Sequence, residues 1–265
     1  MFYSNPADAG IDADALQTLA GIYGERATKL PPIAMVIAAY NEEGAVGPVV
    51  EKLPKTVCGL AAEVIVVADG CVDATAKEAD AAGAVVCDVP VNRGQGAALR
   101  LGYRIAREGG AQYIATLDGD GQWDPADLPA MVALLEADEA DFVLGSRQLG
   151  QTENTEALLR NTGVRFFALV ISRLTRRHLT DTSSGLRLMR ASLTGTVTQT
   201  QPQYQTSELL IGALLQGYRV AEVPTVMRRR ISGTSKKGHN VLYGLRYASV
   251  IAHTYRRERR AARAR

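Results

Sequence analysis

The residues best suited to chemistry are two aspartates separated by one glycine, in the run Asp118-Gly119-Asp120-Gly121-Gln122. They close an apolar segment, Tyr113-Ile114-Ala115-Thr116-Leu117, that reads as a buried strand. Two carboxylates at the end of such a strand are costly unless a cation shares their charge. A hard divalent ion with oxygen ligands, itself holding a diphosphate, is the natural partner. The spacing therefore points to a metal-dependent enzyme acting on a nucleotide.

These carboxylates need a scaffold, and the surrounding pattern supplies one. Ile33–Ala39, Val64–Ala68, Ala84–Cys87, Tyr113–Leu117 and Phe142–Gly145 read as strands. Helices are expected near Val46–Leu53, over 73–82, over Gly96–Glu108 and over Pro125–Glu136. This alternation over 33–147 implies an α/β fold with a mostly parallel sheet and helices on both faces. In such sheets ligands gather beyond the carboxyl ends of the strands. Tyr40–Glu43, Asp69–Asp73, Asp118–Gln122 and Ser146-Arg147 all fall there, which predicts one shared pocket. Residues 1–30 read as a helical extension, with Asp12 or Asp14 as its cap and Ala15, Leu16, Leu19 and Ile22 along it, ended by Pro31-Pro32.

Composition narrows the classes. A chain of 265 residues, 46% hydrophobic and 22% charged, is long enough for one large domain or at most two small ones. The net charge of +2 hides an asymmetry, because Arg256–Arg265 holds six Arg against one Glu. Cys58, Cys71 and Cys87 lack metal-ligand spacing and fit reduced thiols in a cytoplasmic protein. His178, His239 and His253 are scattered and support no metal site. No stretch of 18 apolar residues could span a membrane. The N-terminus lacks a signal-peptide pattern, so export is not expected. No nucleic-acid-binding motif accompanies the basic end.

Seven motifs in order carry a resemblance. Ala38-Ala39-Tyr40-Asn41-Glu42-Glu43, Asp69-Gly70-Cys71-Val72-Asp73-Ala74-Thr75, Asn92-Arg93-Gly94-Gln95-Gly96-Ala97-Ala98 and Asp118-Gly119-Asp120-Gly121-Gln122 resemble the family 2 glycosyltransferases. The resemblance implies the GT-A (nucleotide-diphospho-sugar transferase) fold, a Rossmann-like mostly parallel sheet flanked by helices. Gly145-Ser146-Arg147, Asp181-Thr182-Ser183-Ser184-Gly185-Leu186-Arg187 and Arg230-Ile231-Ser232-Gly233-Thr234-Ser235-Lys236 are similar to the dolichol-phosphate mannose synthase, or polyprenyl-phosphate glycosyltransferase, branch. The likeness covers roughly residues 32–238. It divides the chain into an extension (1–30), a GT-A domain (31–238) and a C-terminal amphipathic helix with a basic tail (239–265).

The resemblance implies roles residue by residue. Asp118, Asp120 and Gln122 would hold Mg²⁺ or Mn²⁺ on the donor diphosphate. Ala38, Tyr40, Asn41, Glu42, Asp69, Gln95 and Gly119, with Asp118, would line the nucleotide-sugar pocket. Arg187, Arg230 and Lys236 would join Asp120 in catalysis by handling phosphates, as forks and a point charge suit that task. Arg147, Asp181, Ser183 and Glu208 would shape the acceptor side. Departures are visible: Ala68 stands where many relatives have a second aspartate, Gln95 where many have Lys, and Trp123 where His is common.

The expected reaction is inverting transfer of a mannose- or glucose-type hexose from a nucleotide sugar (GDP-mannose or UDP-glucose type) to a polyprenyl phosphate. The alternatives are a soluble family 2 enzyme with a hydroxyl acceptor, which would need a base such as Asp181 or Glu208, and a non-catalytic sugar-nucleotide-binding subunit. Two stretches bear on membrane contact. Phe166, Phe167, Val170, Ile171 and Leu174 share one helical arc, and Val241, Leu245, Ala248, Ala252 and Tyr255 form another ahead of the arginines. Basic amphipathic helices can lie in a bilayer interface, which would make the protein peripheral on the cytoplasmic face. Docking of the same stripes on the domain or on a second subunit is the competing reading, so a homo-oligomer stays open.

Overall fold

The computed structural model describes residues 6–152, 157–231 and 241–264. Its strands are β1 (Ile33–Ala39), β2 (Thr56–Val57), β3 (Leu60–Asp69), β4 (Val85–Val89), β5 (Tyr113–Asp118), β6 (Phe142–Thr152), β7 (Arg187–Arg190) and β8 (Val220–Met227). Among the helices, α1 (Pro6–Tyr23), α2 (Glu25–Thr28), α3 (Val46–Lys52), α4 (Thr75–Ala81) and α5 (Gln95–Glu108) precede or alternate with the first strands. Then come α6 (Leu128–Glu136), α7 (Ala157–Thr175), α8 (Leu193–Thr196), α9 (Gln205–Leu215) and α10 (Val241–Ala264).

One sheet runs in the order β2-β3-β1-β5-β7-β6-β8, with β4 also paired to β3. Strands β4, β3, β1 and β5 are mutually parallel, and β7 runs antiparallel to both β5 and β6. The sheet is therefore mixed rather than wholly parallel, and β7 and β8 extend it beyond the alternating part of the sequence. Strand β1 is apolar along its whole length because helices cover both faces of the sheet. One core layer joins Ile65, Val67, Ile114 and Met189 to α1, α5, α7, α9 and α10; the other joins Val66, Leu117, Val143 and Leu188 to α3, α4 and α6.

Both ends of the chain depart from expectation. Helix α1 starts at Pro6, so Asp12 and Asp14 are interior rather than caps, and Asp12 is buried. Helix α10 runs through the arginines to Ala264. Its buried seam is Tyr247, Ile251, Thr254 and Glu258, while Leu245 on the predicted stripe is 63% exposed. A charged residue shares the seam because Glu258 meets Arg257 and Gln216 there.

Candidate active site

Strand register assembles the site. β1 and β5 are in step with Ala38 opposite Asp118, so Tyr40–Glu42 and Asp118–Asp120 leave the same edge side by side. Asn41 takes a left-handed conformation (φ 51) and its Oδ1 accepts the N–H of Val72. Glu42 packs near Gly119, where an added Cβ would stand 3.9 Å from its Cγ. Tyr40 is 40% exposed at the rim.

Asp118 is held from two sides. Gln95 donates from Nε2 to its Oδ1 at 3.2 Å, and Trp123 donates from Nε1 to its Oδ2 at 2.9 Å. Gly185 closes the third side: a Cβ there would lie 2.2 Å from Asp118 Oδ2 and 2.4 Å from the indole nitrogen. Only glycine allows that approach. Asp120 is 5% exposed and ion-paired with Arg230, whose Nη1 stands 2.7 Å from Oδ2. Backbone N–H groups of Gln122 and Ile231 complete the bend, donating to Oδ1 and to the carbonyl of Asp120. Gln122 spends its amide N–H on the carbonyl of Arg228, which leaves Oε1 as the oxygen it can offer a cation.

This donor set fits a hard divalent ion. Two carboxylates lie one residue apart, and a guanidinium stands against one of them as a cation would. No cluster of three or more His, Cys, Asp or Glu occurs among the described residues. An ion bound here would therefore draw further ligands from a diphosphate or water.

The acceptor side is built differently. Arg147 grips Asp181 with two bonds, Nε to Oδ2 at 2.6 Å and Nη2 to Oδ1 at 2.7 Å, and its Nη2 also donates to Ser183 Oγ at 2.8 Å. Burial works against the charge of Arg147, but Asp181 outweighs it and holds the guanidinium above its ordinary pKa. The guanidinium also lies 5.6 Å over the Trp123 ring, so one indole joins the two sides of the cleft. Behind them Glu222 accepts the N–H groups of Thr180 and Asp181, and burial raises its pKa.

Besides Asp181, three expected site residues lie elsewhere or are sealed. Glu208 is fully buried and accepts from Thr200 N, Gln201 N, Thr200 Oγ1 and Arg257 Nη1, so it braces α9 to α10 and is not open to an acceptor. Arg187 is 1% exposed, because strand alternation points it into the same layer as Met189; its Nε and Nη1 have no partner there. In this conformation it does not meet the open cleft. Asp69 is sealed as well, with Oδ2 taken by the N–H groups of Arg93 and Gly94. Lys236, together with Ser232–Ser235, lies outside the described residues.

Trp123, Glu222, Arg93 and Tyr247 are the contributors that sequence reasoning missed. The substitution of Trp at position 123 was the one available signal, since an indole N–H beside two carboxylates is a usable donor. Tyr247 of α10 hydrogen-bonds Ser207, whose hydroxyl donates to the Thr182 carbonyl beside Asp181. Phe167 and Tyr204 pack against Tyr247 at 4.4 and 5.0 Å between ring centroids. Beyond this aromatic wall, α7 and α10 flank an open apolar groove of about 600 Å³ lined by Phe166, Phe167, Val170, Ala248, Ala252 and Tyr255, together with Arg256, Arg259 and Arg260.

Known proteins resemble this chain in sequence and fold. The family model described as glycosyl transferase family 2 matches residues 34–197. The chain is 30% identical to dodecaprenyl-phosphate galacturonate synthase of Rhizobium johnstonii over 78% of its own length, and spans 62% of that protein. It is 31% identical to dolichyl-phosphate hexose transferase of Haloferax volcanii, over 76% of this chain and 85% of the relative. Among solved structures, glucosyl-3-phosphoglycerate synthase from Mycobacterium tuberculosis, in complex with Mn²⁺, uridine diphosphate and phosphoglyceric acid, superposes with a TM-score of 0.65. That match has 19% identity and covers 89% of this chain and 82% of the other, and it shows a shared GT-A fold.

Proposed function

This chain belongs to glycosyl transferase family 2, and from that premise we propose that it moves a hexose from a nucleotide sugar to a polyprenyl phosphate at a membrane surface. The observation that carries this reading is the open apolar groove between α7 and α10. It has the chemistry of an isoprenoid tail's surroundings, its lining includes three arginines, and Phe167 and Tyr247 join it to the Asp181–Arg147 wall. No described helix is long and apolar enough to cross a membrane. Contact with the bilayer would then be peripheral, through α7, α10 and lipid-facing arginines on the cytoplasmic side.

The acceptor-side carboxylates support the same choice. Asp181 is bound to Arg147 and Glu208 to Arg257, so neither stands ready to take a proton from a hydroxyl. A phosphate is an anion near neutral pH and attacks without such help. Single displacement from an α-linked donor gives a β-linked lipid-phosphate sugar. Asp118 and Asp120, with Gln122, would hold Mg²⁺ or Mn²⁺, whose charge offsets that of the departing nucleoside diphosphate. Gln95 and Trp123 orient Asp118, and Arg230, now paired with Asp120, would be free to meet phosphate if an ion took that carboxylate. The transferase unit in this reading is residues 31–238, with α1 and α10 as flanking helices.

The test is a panel of radiolabelled nucleotide sugars offered with polyprenyl phosphate, a soluble sugar or water as acceptor. Metal-dependent transfer of label into the butanol phase is the expected result. Label that reaches only the soluble sugar would overturn the lipid acceptor in favour of a hydroxyl one.

A further inference from the structure

Helix α1 reaches the donor side of the cleft through one buried carboxylate. Asp12 is 4% exposed, and its Oδ1 accepts from Arg93 Nη1 at 2.8 Å. The same nitrogen lies 3.4 Å from the Asp8 carbonyl. On its other side Arg93 approaches Asp69, but Nε stops 3.8 Å from Oδ1, beyond hydrogen-bond reach. Asp69 meanwhile holds the backbone of the same turn, accepting from Arg93 N at 2.9 Å and Gly94 N at 2.8 Å. Side chain and main chain of Asn92–Gly94 are thus tied to two different elements. The turn opens α5 with Gly94 at φ 91, a conformation that suits glycine, and the next residue is Gln95, which holds Asp118.

The network is incomplete in an informative way. Asp69 Oδ1, Arg93 Nε and Arg93 Nη2 are buried without partners. Opposite charges with unmade bonds across a gap of 3.8 Å would close on each other if nothing held them apart. The group that holds Arg93 back is Asp12, which lies closer and on a separate helix. Its charge is felt in the same layer: the Cys87 thiol is pushed up to about 12, first by burial and next by Asp12.

We propose that Asp12 is a positioning residue for the donor: by holding Arg93 on α1 it keeps the Asn92–Gln95 turn in the one geometry that presents Gln95 to Asp118. The N-terminal helix is then a working part of the nucleotide-sugar site. This inference rests on the reading of Asp118 as a donor-side group.

The experiment uses the full chain and its Asp12→Asn and Asp12→Ala variants. Calorimetry with UDP and with GDP in the presence of Mn²⁺ gives binding, and initial rates give KM for the donor separately from kcat. The expected result is about tenfold weaker nucleotide binding and a matching rise in donor KM, the low end for loss of a group supporting a metal site. kcat and acceptor KM should stay within about twofold under the same principle. Asp12→Asn keeps the side-chain volume and carries the test if Asp12→Ala does not fold. Wild-type affinity in Asp12→Asn, with a lowered melting temperature alone, would overturn the positioning role. Failure of the wild type to bind either nucleotide would instead overturn the donor reading beneath it. A double-mutant cycle with Arg93→Met adds a check: Asp12→Asn should have no further effect once Arg93 is gone, and full additivity would overturn the route through Arg93.

Discussion

Two aspartate–arginine pairs face each other across the cleft, and they differ in how firmly they are held. Asp120 meets Arg230 at 2.7 Å, and although Asp120 itself is nearly buried, the Arg230 side chain is 22% exposed on the segment leaving β8. Asp181 meets Arg147 through two bonds, with side-chain exposures of 0% and 5%, and Glu222 braces the backbone behind it. A pair with one partly wet member gains less from staying together. A sealed, forked pair cannot lose one member without leaving a buried charge. The donor side is thus suited to exchanging its cation, and the acceptor side to keeping its shape.

The sharpest way to break this comparison is to remove one carboxylate from each pair. Asp120→Ala should lower metal-dependent transfer by at least about 10²–10³-fold, the scale for losing a principal electrostatic stabiliser, with a melting temperature close to wild type. Full activity with EDTA present would end the metal role. Asp181→Ala should act first on folding, costing about 3–5 kcal/mol because Arg147 is stranded, as read from urea denaturation. A loss below about 1 kcal/mol would mean that the Asp181–Arg147 pair is no firmer than a surface one.

Arg230→Gln probes the exchange more finely. It should cost less unfolding free energy than Asp181→Ala, because Arg230 is the partly exposed member of its pair, and weaken nucleotide-sugar binding. In the absence of nucleotide it should tighten Mn²⁺ binding, because Arg230 no longer competes for Asp120. Weaker Mn²⁺ binding in that titration would contradict a competing cation.

The smallest effects are in pH dependence, where two carboxylates, Asp124 paired with Arg228 and Glu222 behind Asp181, should move oppositely. Asp124 is held below its ordinary pKa, first by the Ala126 N–H and then by Arg228. Its contribution is full above about pH 4, the unfolded value, and is lost as pH falls through the folded one. Glu222 is raised by burial, so its contribution is full below about pH 4.3 and is lost as pH rises through the higher folded value. The stability advantage of wild type over Asp124→Asn should therefore shrink toward acid, and that over Glu222→Gln should shrink toward neutrality. Parallel trends in the two denaturation series would remove the contrast.

Much of this was legible in the chain because local rules suffice for it. The alternation over 33–147, the carboxylates closing β5 and the glycines of the Asn92–Gly96 turn all follow from nearest-neighbour patterning and the needs of a phosphate-binding edge. Strands β7 and β8 were not legible. β7 is four residues long, carries arginine at both ends and is defined by the two strands beside it. The buried seam of α10, a different face from its apolar stripe, was not legible for a related reason: Glu258 belongs to it only because Arg257 and Gln216 are there to receive it. Arg187 and Glu208 were placed in the site because cations and carboxylates near a cleft suit phosphate chemistry, but the sequence does not state which way a side chain leaves its strand or helix.

By itself, then, the sequence determined the class of chemistry: a strand-end carboxylate pair in a parallel α/β frame, with a set of motifs ordered as in one transferase family. Tertiary structure decided which charges are available to that chemistry. Asp120 and Arg230 come from segments 110 residues apart and meet where a cation can replace one of them, while Asp181, Glu208, Arg187 and Asp69 are enclosed. Residue type and spacing specify what a group can do, whereas burial and pairing, which depend on distant parts of the chain, set whether it is free to do it.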